Sequence, residues 1–138
     1  MDPDYSDWEP VFEKLRLLRA GWPGPSWEWD MRFATLSSSF VIAHEPVARA
    51  AANHVLTYAW TKDTLPTAPA GLRTICDRTG GLRAGQLLMA GKVGGIVMYG
   101  LWWPWGGGAK VTLRLGIGEC AVDEAPFPMV RELFGVHV

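Results

Sequence analysis

The chain has 138 residues, of which 49% are hydrophobic and 20% charged, and its formal net charge is -1. Such a length suits one domain, and so apolar a composition supports a packed core and excludes global disorder. The balance of 13 basic against 14 acidic residues argues against a nucleic-acid binder, whose affinity comes mostly from neutralising phosphates.

Residues 1–6 read as a loose N-terminal arm of a single domain over 1–138. Met1-Asp2-Pro3-Asp4-Tyr5 is acidic and polar, where a secretory signal needs a basic stretch and then an apolar run. Asp7 is placed to cap a first helix, with Pro10 in the first turn, where its missing N–H costs nothing. Ser6 and Glu9 form an alternative capping box. Trp8, Val11, Phe12, Leu15 and Leu18 recur at helical spacing, and Gly21 and Pro23 end the helix.

After a stiff Trp-Pro-Gly-Pro-Ser turn at 22–26, Trp27, Trp29, Met31 and Phe33 alternate with Glu28, Asp30 and Arg32. That period of two predicts a half-buried strand, and Leu36 to Ser38 then turns the chain into a second strand over 39–43, a hairpin. Glu45-Pro46 opens a second helix carrying Val47, Ala48, Ala51, Ala52, Val55, Leu56 and Ala59. Residues 61–71, with Pro66 and Pro69, read as an internal linker, and Leu72 to Cys76 as a short strand.

Two apolar runs, 86–90 and 96–103, are joined by a Val93-Gly94-Gly95 turn, and Gly106-Gly107-Gly108 reverses the chain again. From Lys110 to Ile117 the apolar Val111, Leu113, Leu115 and Ile117 alternate with Lys110, Thr112 and Arg114. One wet face implies an antiparallel sheet. Asp123 is placed to cap a final helix with Phe127, Val130, Leu133 and Phe134. The expected architecture is a two-layer α+β domain in the order α-β-β-α-β-β-β(-β)-α, with about five antiparallel strands and three helices. In element order alone it resembles roadblock-type and profilin-like domains and type III secretion chaperones, a likeness of architecture that carries no function.

The motifs that would announce chemistry fail on inspection. Gly85 to Val93 has five residues between its glycines instead of the four of a phosphate loop, and Val93 replaces the hydroxyl that would hold magnesium. Gly116-Ile-Gly118-Glu-Cys-Ala121 has too little chain after it for a dinucleotide-binding unit. His44, His54 and His137 are scattered, and no Cys-x-x-Cys or His-x-x-x-His pair exists, so no metal site and no cofactor are expected. The two cysteines, Cys76 and Cys120, are too few for a disulfide-stapled scaffold, which predicts a reducing, cytoplasmic setting. The apolar segment from Val93 to Trp105 falls short of the ~20 residues of a spanning helix.

The most distinctive feature is Leu101-Trp102-Trp103-Pro104-Trp105-Gly106-Gly107-Gly108. In a strand, Trp102 and Trp103 face opposite sides, and Trp105 falls in the turn. Large rings near a loop are costly to leave in water and serve as anchors for a partner. The alternative is that they fold over the sheet edge, with Trp22, Trp27 and Trp29, as a satellite core. No catalytic constellation assembles, so the residues favour a non-catalytic protein-binding domain: an adaptor, inhibitor, chaperone or immunity-type protein. It would use Trp102, Trp103 and Trp105 with the basic strand face of Lys110 and Arg114. The alternative is a small-molecule-binding domain or small enzyme, its pocket between the second helix and the sheet, with His44, His54, Cys76 and Asp77 as polar groups. Self-association through an edge strand is a third expectation.

Overall fold

Among the described residues the chain forms six strands and four α-helices, the longer strands on alternation of period two and the helices on apolar repeats three and four apart. The computed structural model describes residues 8–119 and 127–136. In chain order these are α1 (Glu9–Gly21), β1 (Glu28–Asp30), β2 (Thr35–Val41), α2 (Glu45–Ala52), β3 (Tyr58–Trp60), α3 (Ala70–Arg78), β4 (Leu87–Val93), β5 (Ile96–Trp105), β6 (Lys110–Glu119) and α4 (Phe127–Leu133). One antiparallel sheet runs β1-β2-β6-β5-β4-β3. The expected α+β class is observed, with one strand and one helix more than expected.

Pairing register sorts the side chains onto two faces. On the first, Leu36, Phe40, Met98, Trp102, Val111, Leu113 and Leu115 meet α1, α2 and α4. Val11, Phe12, Leu15 and Leu18 of α1 are fully buried there, each contributing roughly 1.5–3 kcal/mol by leaving water. On the second face Leu88, Ala90, Tyr99 and Leu101 pack beneath Leu72, Ile75 and Cys76 of α3. α3 is thus a partial third layer over one half of the sheet.

Four local expectations are corrected. Leu72 to Cys76 is helix, not strand: Leu72, Ile75 and Cys76 sit at i, i+3 and i+4, the spacing of one helical face. The second helix stops at Ala52 instead of running to Ala59. Gly91 permits the path that follows, because a Cβ there would lie 1.6 Å from the Val55 carbonyl oxygen. The chain turns at 53–57, lies against β4 and continues as β3. The first strand ends at Asp30, and the hairpin turn is 31–34 instead of 36–38. Asp30 Oδ1 accepts the Phe33 N–H at 3.2 Å, the local bond by which aspartate makes turns, and Ala34 takes a φ of 52°. Finally, the 61–71 linker holds a 3₁₀ turn at Leu65–Thr67 and the start of α3, tied by Thr64 Oγ1 accepting the Thr61 N–H at 2.8 Å. The N-terminal arm, Asp7, Cys120, Asp123 and His137 lie outside the described residues. Among the described residues no helix is long and apolar enough to cross a membrane.

Candidate protein-binding face

α3 lies over β3, β4, the first part of β5 and the Gly118 end of β6, so β1, β2, the Lys110–Arg114 stretch of β6 and the far end of β5 carry no helical layer among the described residues. Three cross-strand rows of side chains lie there. Val41, Lys110 and Trp105 form the first, Ser39, Thr112 and Trp103 the second, and Ser37, Arg114 and Leu101 the third.

A hydrogen bond fixes Trp105 in the first row, whereas the buried Trp103 Nε1 has no hydrogen-bond partner and its ring is held by packing. Trp105 Nε1 donates to Thr112 Oγ1 at 2.9 Å, and that hydroxyl lies 2.7 Å from Ser39 Oγ. The Lys110 ammonium sits 5.2 Å from the Trp105 ring centroid, within reach of a cation–π attraction. Trp105 is therefore pinned by its indole N–H while its ring stays 48% exposed. A ring already held in place loses little entropy on contact with a partner.

The second cluster grows from the β1–β2 turn. That turn carries Phe33 back over the sheet, where its ring meets Trp103 edge-on with centroids 5.4 Å apart. The Arg114 guanidinium stacks 4.7 Å from the Trp103 centroid and 5.3 Å from that of Phe33. Its Nε donates to Asp30 Oδ2 at 3.0 Å, so Arg114 is oriented and largely neutralised in place. Arg32 lies over the outer side of Phe33 at 5.1 Å, and Met31 at the turn is 84% exposed.

Of the residues singled out by sequence, Trp103, Trp105, Lys110 and Arg114 share this face. Trp102 does not. It points through the sheet into the helical core, only 2% exposed, against Phe40 at 5.2 Å and beneath the Arg49 guanidinium at 5.5 Å. The cause is the strict alternation of β5. Trp105 also ends the strand instead of occupying the turn. Nor do the indoles gather into one satellite cluster. Trp22 is buried in the helical core with Trp27 and Trp29 at its margin, on the opposite side of the sheet from Trp103 and Trp105.

The alternative pocket is not assembled. His44 and His54 flank α2 and are exposed, and Ala48, Ala51 and Ala52 of α2 pack into the helical core. Cys76 and Asp77 belong to α3, across the sheet from both histidines. The Cys76 thiol is buried and free; burial, and to a lesser degree the Asp77 carboxylate, pushes its pKa up, opposite to what a nucleophile needs. Among the described residues no group of three His, Cys, Asp or Glu side chains is close enough to hold a metal ion.

Phe33 and Val41 belong to the face, with the exposed Met31 in the turn that carries Phe33, and all three were missed by sequence. Phe33 and Met31 were absorbed into a longer strand by their alternation; the signal overlooked was Asp30, a turn-forming residue three positions before Phe33. No protein-family model, curated protein or solved structure matches the chain.

Proposed function

We propose that this is a non-catalytic protein-binding domain, an adaptor, inhibitor, chaperone or immunity-type protein, that engages its partner through the uncovered half of the sheet. The observation that carries the reading is Trp105: half exposed, hydrogen-bonded to Thr112 and flanked by Lys110 on a face without a helical layer among the described residues. Aromatic rings beside cations, fixed on a rigid sheet, are the usual anchors of protein interfaces. Trp103, Phe33 and Arg114 extend the surface, while Trp102 serves the core. Lys110 favours a partner that places an acidic group beside an apolar one. A reducing, cytoplasmic setting suits the buried free thiol of Cys76. The two edge strands, β1 and β3, are only three residues each, which limits self-association by strand addition.

The test compares wild-type, Trp105→Ala and Lys110→Ala baits in extracts of the native host, with melting temperatures measured in parallel. We expect one partner to be retained by the wild type and lost from Trp105→Ala, with the melting temperature lowered by only a few degrees. Equal recovery by all three baits would remove the reading.

A further inference from the structure

A second recess lies away from that face, where α3 crosses the sheet. It encloses about 420 Å³ and is lined by Tyr58 and Trp60 of β3, Leu72 and Ile75 of α3, and Val97 of β5. That volume falls within the roughly 300–1,000 Å³ range of small-molecule clefts. Two features make it a slot instead of a filled seam. Tyr58 and Trp60, two apart on the edge strand, stack with centroids 6.2 Å apart and planes 20° apart, forming an aromatic wall. Tyr58 is 64% exposed, although a large ring of this kind normally seeks cover. Glycine at 118 lets α3 sit close over the floor: a Cβ there would crowd Val97 Cγ1 at 3.2 Å and meet Ile75 Cδ1 at 3.6 Å.

Charge around the recess is one-sided. Lys92 is its one ionisable lining residue besides the Tyr58 phenol, and the described lining holds no carboxylate. The N-terminus of α3, whose first turn has no side-chain cap, contributes Gly71 and Leu72 to the same wall. Backbone N–H groups at a helix start favour negative charge. An apolar slot with an ammonium and an uncapped helix start suits a ligand with an apolar body and one anionic head.

We propose that the recess between α3 and the β3–β4 edge binds a small apolar carboxylate, with the body against Tyr58, Trp60, Leu72 and Ile75 and the carboxylate at Lys92. The flat aromatic and the short acyl versions share this chemistry. Titration calorimetry with 2-naphthoate and with decanoate separates them, and 2-naphthylmethanol serves as the uncharged control. The expected result is saturable binding of at least one acid, with the alcohol about fivefold weaker, as loss of one solvent-edge ion pair implies. Lys92→Gln should weaken the acid by a similar factor, and Tyr58→Ala by about tenfold through lost apolar contact. Both side chains are exposed, so folding should survive each change, and melting curves check this. Trp105→Ala should bind the acid like the wild type, which keeps this site separate from the protein-binding face. Absence of saturable binding by either acid would overturn the proposal, as would equal binding of acid and alcohol. A Tyr58-dependent dimer that excludes both acids, seen by sedimentation, would assign the slot to a second copy of the chain and overturn it too.

Discussion

At the residue scale, adjacent tryptophans carry opposite duties because a strand turns successive side chains to opposite faces. Trp102 is sealed beneath α2, so Trp102→Ala should cost about 3–5 kcal/mol in urea unfolding, the range for emptying a core ring. Trp105→Ala loses one side-chain hydrogen bond and a half-exposed ring, for which about 1 kcal/mol is expected. Equal losses would contradict the two placements. Two buried acids give a pH signature. Burial raises the Cys76 thiol, helped by Asp77, and burial raises the Tyr99 phenol against the opposing pull of Arg78. Both groups hold their protons more tightly in the folded chain, so their contribution is complete well below the ordinary thiol value of 9.0 and is lost as pH climbs through and past it. Urea midpoints should fall between about pH 8 and about pH 10.5, and by less in Cys76→Ala. An identical fall in that variant would contradict the thiol's part.

At the element scale, legibility followed periodicity. Val11, Phe12, Leu15 and Leu18 announced α1, and the alternation from Lys110 to Ile117 announced β6, because each pattern repeats long enough to define a face. Short elements were misread for a physical reason. Leu72, Ile75 and Cys76 offer a single helical turn of signal, and 58–60 is a strand by virtue of pairing with Met89 and its neighbours instead of by local composition. The path after α2 passes close to Gly91 at Val55, far apart in sequence, an approach that no local pattern encodes. The turn that carries Phe33 offers a test at this scale. Ala34 holds a φ of 52°, a left-handed conformation that costs a residue with a Cβ about 1–2 kcal/mol. Ala34→Gly should therefore raise stability by up to about 1 kcal/mol, less than the strain because glycine loses more entropy on folding. Thermal melting reads it, and a loss of stability would contradict the turn geometry.

At the scale of the whole molecule, an antiparallel sheet needs full cover on one face only, and this one is covered unequally. α1, α2 and α4 close one side, while α3 reaches only half of the other. Four of the five side chains named by sequence as partner contacts fall on the uncovered half, because they alternate outward along β5 and β6. Trp102 was misjudged because proximity in sequence to a glycine-rich turn says nothing about which face a strand residue takes. The histidines and the thiol offered chemistry by residue type alone, and the sheet separates them. The central claim is that the Trp105 side of the sheet is the surface that meets a protein partner. A photo-crosslinking phenylalanine analogue placed at position 105, and separately at Leu17 on the outer side of α1, 48% exposed, tests it in the native host. Irradiation should yield one discrete heavier adduct from position 105 and none from position 17; no adduct from position 105, or the same adduct from both, would contradict the account.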